Sequence, residues 1–547
     1  MELITMVART SRNGFSLSRV LVSQLSGVEL RNLVKRSHRY LALYNTLLAL
    51  SVLLVAGCAV LTKDYPRTAS TAFPDHESTA IGKQIAAVAA QHPGQSGFAL
   101  IRPGRQAFTA RVAMADLAQK TLDVQYYLWE RDTTGRIFAE HVLRAADRGV
   151  RVRILVDDVN LEDRDDNLAA LDAHPNIEIR IFNPFPHRFS QVLGFLTDFN
   201  RVNHRMHNKL VVLDNALAIV GGRNMSDHYF DVDPVFNFRD LDIAAAGPVV
   251  RDLSQVFDRF WNGEWSVPAA AMVHRPYTEE DLRLLAQRTR EQLAKVRYPH
   301  PLGEDLAKLN AEFSTILDGF IWAPGRVVFD DPSSIHDSSV RVMQQALGNR
   351  LEQLEKEILI EAAYFIPLAR GVEITKTLVA RGVTVRVVTN SLASNDVLPA
   401  FAGYSISRKD LIRAGVEIHE VRWEPGPLRQ KQILQGSKTA VHTKTVVFDR
   451  KDVFIGSFNL DARSATINTE AGLYVESPVL AAQVVEYLNE GAGPEVSYRV
   501  LLDEHDELYW VAADDGKPLR WDTDPLTTRW QRFKAGFWSI LPIIEQL

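Results

Sequence analysis

The most constraining feature of this 547-residue chain is a polar motif that occurs twice. His207-x-Lys209 followed by Asp214 returns as His442-x-Lys444 followed by Asp449, at an offset of 442 minus 207, or 235 residues. Units of this length are too long for a solenoid repeat. The repeat therefore predicts two similar domains that lie side by side.

A second repeated segment predicts the local fold. The sequence RGVRVR at residues 148–153 returns as RGVTVR at residues 381–386, and alternating apolar residues in both copies predict a strand. A strand (residues 121–128 and 357–365) and a helix (near residues 135–147 and 371–380) are predicted before each copy. Such β-α-β units indicate an α/β fold with helices on the faces of a sheet.

Shifts in composition predict the domain boundaries. We place an N-terminal segment at residues 1–62, a first domain at 85–270, a helical linker at 271–311, a second domain at 312–500 and a C-terminal extension at 501–547. In the linker, Thr278 and Asp281 form a predicted capping box that begins a charged helix extending to about Val296. The stretch 424–436, with its prolines, predicts a loop that enters the second site.

Composition excludes some classes of protein. A hydrophobic content of 46% with 24% charged residues is typical of a folded globular protein. The net charge of −5 argues against nonspecific nucleic-acid binding, because such binding depends on an excess of Lys and Arg. The single cysteine, Cys58, excludes an intramolecular disulfide and a multi-cysteine zinc site.

The N-terminus predicts export or anchoring. A basic region (residues 1–39) precedes an uncharged run (residues 41–62), a pattern typical of a signal peptide or a transmembrane segment. Within the run, Val55-Ala56-Gly57-Cys58 resembles a bacterial lipobox, so we expect a lipid-modified Cys58 at the mature N-terminus. An uncleaved membrane helix with a chance cysteine is the alternative.

Further polar residues accompany both motifs. Asn224 and Asn459 each follow the motif histidine by 17 residues and stand in glycine-containing elements, GGRN and GSFN, where a strand end can approach a ligand closely. Asp240 and Glu470 begin the next apolar strands. Either carboxylate can accept a hydrogen bond from a histidine ring and fix its tautomer.

These elements together resemble the phospholipase D superfamily, whose H-x-K-x4-D motif, followed by G-G-x-N or G-S-x-N, is complete in both copies. The segments DVQYY (123–127), TNSLASND (389–396) and FNLDARS (458–464) look like bacterial cardiolipin synthases of the C type. The resemblance extends from about Gln91 to the C-terminus. It implies two phospholipase D-like α/β sandwich domains, packed with pseudo-twofold symmetry so that both motifs form one active site.

The resemblance also implies a mechanism without a metal or other cofactor. His207, held by Glu470 from the other half, would attack phosphorus and form a phosphohistidine, and His442, held by Asp240, would act as acid and base. The two histidine roles can be reversed. Lys209, Lys444, Asn224 and Asn459 would bind the phosphate oxygens. We expect Asp214 and Asp449 to bond to nearby loops, and Arg223 and Ser457 either to bind phosphate or to shape their turns.

Two further segments indicate lipid contact. Aromatic and basic residues at 182–201 predict either core or an interfacial loop, and residues 527–541 predict an amphipathic helix on a membrane or packed on the second half. The favoured function is transfer of a phosphatidyl group to phosphatidylglycerol, with phosphatidylethanolamine as a further candidate substrate. Water as the acceptor would make the protein a phospholipase D. A nuclease is a different class that the acidic charge disfavours, and a protein partner is neither predicted nor excluded.

Overall fold

A computed structural model describes residues 65–161, 164–188, 190–296, 298, 314–336, 341–424 and 437–541. The chain divides into two compact units, residues 1–63 and 64–547, and all described residues belong to the second unit. The predicted export segment, Cys58 and residues 425–436 of the predicted loop lie outside the described residues. Within the described ranges, no helix is long and apolar enough to cross a membrane.

The strands are β1 (Ser96–Ile101), β2 (Thr121–Tyr126), β3 (Arg151–Asp157), β4 (Ile177–Phe182), β5 (Leu210–Leu213), β6 (Leu217–Gly221), β7 (Phe236–Arg239), β8 (Asp242–Ala246), β9 (Ser266–Pro268), β10 (Ile321–Ala323), β11 (Gly325–Phe329), β12 (Glu357–Ala362), β13 (Thr384–Asn390), β14 (Glu417–Val421), β15 (Lys438–Val441), β16 (Lys444–Phe448), β17 (Asp452–Gly456), β18 (Ala471–Glu476), β19 (Ser497–Leu502), β20 (Leu508–Asp514) and β21 (Lys517–Trp521). The α-helices are α1 (Ala80–Ala89), α2 (Gly104–Leu117), α3 (Thr133–Asp147), α4 (Asp165–Asp172), α5 (Gln191–Val202), α6 (Pro248–Asn262), α7 (Glu279–Leu293), α8 (Val342–Glu352), α9 (Leu368–Ala380), α10 (Leu398–Arg413), α11 (Ala462–Thr466), α12 (Pro478–Ala492) and α13 (Arg529–Ser539).

Two large sheets repeat one arrangement of strands. The first has the order β10-β1-β8-β6-β5-β2-β3-β4-β9, and the second has the order β11-β18-β17-β16-β12-β13-β14-β19-β20-β21. In each sheet three parallel strands (β2-β3-β4 and β12-β13-β14) adjoin three antiparallel ones (β5-β6-β8 and β16-β17-β18). This repeated topology confirms the predicted duplication and the α/β fold class.

The predicted β-α-β units are present with shorter strands. Strand β2 ends at Tyr126 rather than at residue 128, because Leu128 and Glu130 exchange backbone hydrogen bonds with Met225 instead. Helix α3 begins two residues earlier than predicted, because the carboxylate of Asp132 accepts the N–H of Gly135 at 3.0 Å and caps the helix. Local periodicity therefore located the elements, whereas long-range pairing set the end of β2 and a local cap set the start of α3.

One hydrophobic core joins the two sheets. Val220 and Ile243 of the first sheet and Ile455 and Leu473 of the second belong to one buried cluster, together with residues of α6 and α12. Separate clusters fill the outer face of each sheet beneath its other helices. Because the sheets share a core, the two halves are held together by the main driving force of folding, the burial of apolar surface.

The chain passes from one sheet to the other near Pro324. Strand β10 pairs with β1 in the first sheet, whereas β11 pairs with β18 in the second, so residue 312 is not the point where the sheets exchange. At the other end, β20 and β21 extend the second sheet beyond residue 500, which lies inside β19. We therefore propose that the second half extends to residue 521.

The predicted capping box is present at the start of α7. The hydroxyl of Thr278 accepts the N–H of Asp281, and the carboxylate of Asp281 accepts the N–H of Thr278 at 3.0 Å. The helix ends at Leu293 rather than near Val296. It packs against α3 and α4 of the first half.

Candidate active site

The first motif is placed by a backbone crossing from the second half. Met206 and Thr469 form an isolated parallel bridge, the N–H of His207 donates to the carbonyl of Thr469 at 2.9 Å, and the N–H of Thr469 donates to the carbonyl of Arg205 at 3.0 Å. His207 and Glu470 are the next residues of the two paired segments. The register of this bridge therefore brings the two side chains together.

The second motif is placed by the same kind of crossing. Strand β15 pairs in parallel with β7 of the first half, with Val441 opposite Arg239, and the N–H of His442 donates to the carbonyl of Arg239 at 2.8 Å. His442 and Asp240 follow directly in the two strands. Each half thus supplies one carboxylate to the histidine of the other half.

The two histidine rings make equivalent contacts. Nδ1 of His207 lies 3.0 Å from Oε2 of Glu470, and Nδ1 of His442 lies 2.8 Å from Oδ2 of Asp240. The carbonyl of Ser457 also lies 3.0 Å from Nδ1 of His207. Because Nδ1 faces an acceptor in both rings, a proton there leaves Nε2 as the nitrogen available for chemistry.

Hydroxyl groups support the carboxylate of Glu470. Ser464 Oγ donates to Oε1 at 2.7 Å, and Ser457 Oγ donates to Oε2. Burial raises the pKa of Glu470 to about 7, against the lowering effects of Lys209 and of the serine hydroxyls. Burial likewise raises the pKa of Asp240, which accepts the N–H of Leu241 at 2.8 Å.

Burial keeps both rings neutral near pH 7. The pKa of His207 lies well below 6.5 because of burial and the charges of Lys209 and Lys444. The pKa of His442 is depressed in the same way, by burial first and then by Lys444, Lys209 and His207. Each ring therefore experiences the lysine of the opposite half, as expected for two motifs that share one cleft.

Both lysines are buried beside their own histidines. Lys444 Nζ lies 2.6 Å from the carbonyl oxygen of His442, to which it donates, and 3.1 Å from the Nδ1 atom of the same ring. Lys209 Nζ donates to the carbonyl of His207. Burial lowers the pKa of Lys444 to about 8 and that of Lys209 well below 10.5. Buried ammonium groups with spare N–H donors are suited to bind a phosphate.

The two asparagines are fixed by pairing of the residues that follow them. Met225 bridges Trp129, and Leu460 bridges Phe365, in parallel registers. Nδ2 of Asn224 donates to the hydroxyl of Tyr229 at 2.9 Å. The Oδ1 atoms of Asn224 and Asn459 are buried without a partner among the described residues.

Glycine in the GGRN element makes room for the carboxylate of Asp240. A Cβ atom added to Gly222 would lie 2.3 Å from Oδ1 of Asp240, and one added to Gly221 would lie 2.0 Å from Oδ1 of Asp242. Arg223 is buried and donates to the carbonyl oxygens of Tyr229 and Asp240. Of the two roles predicted for Arg223, these contacts support shaping of the turn.

Asp214 and Asp449 lie at the far ends of strands β5 and β16, roughly 13 to 16 Å along the strand from the lysines. Asp214 accepts the N–H groups of Gln119, Lys120 and Thr121. Asp449 accepts the equivalent N–H groups of residues 355–357. These contacts join the end of one strand to the start of its neighbour, so the two motif aspartates are placed to stabilise the fold rather than to touch a substrate.

Sequence patterns did not predict two tyrosines in the site. The ring of Tyr127 meets that of His207 edge to face at a centroid distance of 4.8 Å, and Tyr229 meets His442 at 4.9 Å. The hydroxyl of Tyr229 lies 3.5 Å from Nε2 of His442. Tyr127 stands in the DVQYY segment, which carried a family resemblance, whereas Tyr229 lies in a 3-10 turn with no repeated counterpart.

The neighbouring His204 does not join the site. Its Nδ1 atom lies 2.6 Å from the carbonyl of Ile467. Among the described ranges, no group of three or more His, Cys, Asp or Glu side chains is arranged to hold a metal ion. The described polar groups of the cleft include two imidazoles, two ammonium groups, two amides, two carboxylates and the hydroxyl of Tyr229.

A duplicated α/β fold that brings two His-x-Lys motifs to one cleft defines the phospholipase D class of enzymes. The family model described as "Cardiolipin synthase, PLD-like domain" matches residues 112–261 and 347–491. Over 489 residues the chain is 37% identical to cardiolipin synthase C of Escherichia coli K12, covering 87% of this chain and 99% of that protein. An uncharacterized protein of Helicobacter pylori 26695 is 31% identical over 91% of this chain and 98% of its own length.

A solved structure shares the fold at low sequence identity. Phosphatidylserine synthase from Haemophilus influenzae Rd KW20 aligns with a TM-score of 0.50 and 15% identity, over 74% of this chain and 90% of that one. The protein belongs to the cardiolipin synthase-like family of phospholipase D-type enzymes.

Proposed function

We propose that the protein transfers a phosphatidyl group from one phospholipid to a hydroxyl of phosphatidylglycerol and so forms cardiolipin. The observation that carries this proposal is the exchange of carboxylates between halves, which gives one cleft two oriented imidazoles. The 37% identity to a cardiolipin synthase over most of the chain supports the choice of lipid substrates.

In the first step Nε2 of His207 attacks phosphorus, and the bond from phosphorus to the headgroup oxygen breaks. His442, protonated, donates its proton to that oxygen, and the headgroup alcohol leaves. The negative phosphodiester beside His442 favours the protonated form of this ring. It therefore offsets the lowering of the His442 pKa by burial and by the two lysines. The product of this step is a phosphohistidine at His207.

In the second step the acceptor hydroxyl gives its proton to His442 and attacks phosphorus, and the bond from phosphorus to His207 breaks. Lys209, Lys444 and the amides of Asn224 and Asn459 donate to the equatorial oxygens, on which negative charge increases in both transition states. Water as the acceptor would instead release phosphatidic acid.

The proposal includes residence at a membrane surface. Helix α13 packs on α10 through Ala535 and leaves Trp530 and Phe533 exposed beside cationic residues of the same helix, and Ile540, the residue after the helix, is exposed as well. Shortly before the first motif, α5 exposes Val192 and Leu196. Phe182 and Phe185 of the same predicted segment are core residues. Phe189 lies outside the described residues. Exposed aromatic groups among cations are suited to the boundary between headgroups and acyl chains. A lipid-modified Cys58 would supply a further attachment.

The direct test uses labelled phosphatidylglycerol and the variants His207→Ala and His442→Ala. We expect the wild type to form cardiolipin and both variants to lose on the order of 10²- to 10⁴-fold in rate with an unchanged fold. His505→Ala, at a ring that is 79% exposed, is the matched control and should behave as the wild type. Phosphatidic acid as the main product would indicate a hydrolase, and cleavage of an oligonucleotide assayed in parallel would indicate a nuclease.

The histidine roles need a separate measurement. A phosphodiester with a nitrophenol leaving group needs no acid in the first step, so His442→Ala should still form the phosphohistidine and then fail to transfer it. His207→Ala should form none. If the phosphoryl group became covalently bound to the His207→Ala protein and not to the His442→Ala protein, the assignment of the two histidines would be reversed.

A further inference from the structure

A second cavity lies on the outer face of the first sheet, between α3, α4 and α7. Its volume is about 270 Å³, close to the lower end of the roughly 300 to 1,000 Å³ of small-molecule sites. Apolar side chains form most of its wall: Leu143, Ile154, Val156, Leu168, Leu171 and Leu282. A cavity with such a wall is suited to an aliphatic group rather than to a polar metabolite.

Arginines surround this apolar wall. Arg131, Arg136 and Arg288 line the cavity, and their guanidinium groups make no hydrogen bond or ion pair with any other described residue. A fourth arginine, Arg164, donates hydrogen bonds to the carbonyl oxygen of Trp129 at 2.8 Å and to the carboxylate of Glu130. With respect to the residues that the structure describes, the rim therefore offers three cationic groups that are free to bind an anion.

The two acidic residues described in the cavity wall already have partners. Glu130 binds Arg164 and the amide of Asn160, and Glu140 accepts from Arg290 at 2.9 Å and from Arg144. They consequently do not neutralise the three free arginines. Guanidinium groups bind phosphate oxygens through paired N–H donors.

We propose that this cavity binds part of one acyl chain of an anionic phospholipid, whose phosphate is held by Arg131, Arg136 and Arg288. The site is distinct from the cleft that contains His207 and His442, so the inference goes beyond the proposed reaction. It is nevertheless adjacent to the reaction, because Trp129 of the cavity wall bridges Met225, the residue after Asn224. A lipid bound here would contact the segment that positions one of the phosphate-binding amides.

The test uses a decyl phosphate that carries a photoreactive diazirine at the end of its chain, below its micelle concentration. Labelling is done in the full chain with Lys209→Gln and Lys444→Gln, so that phosphate binding in the catalytic cleft is removed. Labelled peptides are then identified by mass spectrometry. We expect label within residues 164–171 and 282–292, which form the cavity wall.

Three variants decide the outcome. Combined Arg131→Gln, Arg136→Gln and Arg288→Gln should lower the labelling on the order of tenfold or more, because charge-assisted hydrogen bonds are lost. Ala286→Phe should lower it by filling the cavity. Arg283→Gln, on the same helix and paired with Glu280, is the matched control and should have no effect.

Label confined to peptides around His207 and His442, or cavity labelling that the triple rim variant leaves unchanged, would overturn the proposal. Arg131 and Arg288 are exposed and Arg136 is only partly buried, so this variant remains informative even if Ala286→Phe does not fold. Equal labelling by a decyl glucoside probe would also contradict the assignment, because it would show that the phosphate is not recognised. Loss of catalysis in the separate His207→Ala test has no bearing on these results.

Discussion

At the scale of single residues, the site depends on groups that are costly to bury. Lys209, Lys444, Asp240 and Glu470 are all buried, and burial shifts the pKa of each toward its neutral form. We expect a bound phosphodiester to replace lost solvation with direct contacts to the lysines. These buried charges suit the cleft to an anion, and they support the proposed preference for a phosphodiester.

The pKa of Lys444, lowered to about 8, predicts the alkaline limit of substrate binding. Below pH 8 the ammonium group is protonated and donates to the phosphate, and above pH 8 it loses the proton. The inhibition constant of a short dialkyl phosphate, which stays singly charged over this range, should therefore be constant up to about pH 8. It should then rise by about tenfold per pH unit.

Lys444→Arg should weaken this alkaline rise, because the guanidinium group stays protonated throughout and only Lys209, whose pKa burial also lowers, can then lose a proton. An inhibition constant of the wild type that remains flat to pH 9.5 would contradict the assignment of Lys444 as a phosphate ligand.

Gly222→Ala should damage the site without a large loss of stability. The added methyl group would lie 2.3 Å from Oδ1 of Asp240, so the carboxylate must move away from His442. We expect the transfer rate to fall on the order of tenfold or more, because His442, the proposed general acid and base, loses the carboxylate that orients its ring.

Gly348→Ala is the control for this prediction, because nothing lies within 4 Å of the added methyl group in helix α8. It should leave the rate unchanged and the unfolding temperature equal or slightly higher. Equal rates for the two variants, measured with the same lipid substrate, would argue against the role of Asp240.

Most of the candidate site could be predicted from the sequence because the motif is repeated. His207, Lys209 and Asn224 keep their spacing in the second copy, and a repeated spacing of polar residues is hard to explain by packing alone. Tyr229 could not be predicted, because its hydroxyl reaches Nε2 of a histidine in the other half through tertiary contacts. Asp214 was placed in the motif by spacing, but its distance from the cleft depends on the direction of β5.

At the scale of elements, helix α13 has two different faces. Ala535 faces α10, and the opposite side presents Trp530 and Phe533, whose stacked rings lie 5.3 Å apart and are 63% and 61% exposed. Of the two predicted alternatives for this segment, packing on the second half is therefore observed, and contact with a membrane stays a prediction that the exposed rings support.

Combined Trp530→Ser and Phe533→Ser should reduce binding to phosphatidylglycerol vesicles on the order of tenfold or more, because two large apolar side chains no longer enter the interface. Turnover of vesicle substrate should fall in parallel, whereas turnover of a monomeric short-chain lipid should not change. The matched control is Val479→Ser, at a single exposed apolar residue of α12. Unchanged vesicle binding, measured by sedimentation, would show that α13 does not contact the membrane.

Element type could be predicted wherever periodicity was strong, as for β3 and α7. The exchange of sheets near Pro324 could not, because β10 has three residues and its partner β1 is more than 200 residues away. Strands β20 and β21 were also missed. They extend the sheet edge through backbone pairing, which leaves little trace in side-chain patterns.

At the scale of the whole second unit, the shared core predicts that neither half is stable alone. Fragments 1–300 and 301–547 divide the chain within the linker and separate β10 from its sheet partner β1. Each fragment alone would expose the core surface that joins the sheets. We expect each to be inactive and poorly soluble, and the two co-expressed to recover transferase activity.

Complementation should fail when the first fragment carries His207→Ala or when the second carries Glu470→Ala, because both residues contribute to one reaction centre. Activity in either fragment by itself would disprove the shared site.

Each half supplies a carboxylate to the histidine of the other half, and this arrangement also bears on how such a chain arose. An ancestor with one copy of the fold would have had a histidine without its orienting partner, so it could have worked only as two identical subunits, each completing the other. Fusion of the two genes would have freed the copies to diverge, and an aspartate now serves one ring where a glutamate serves the other. The unequal pair of acids is consistent with a symmetric dimer that became a single polypeptide.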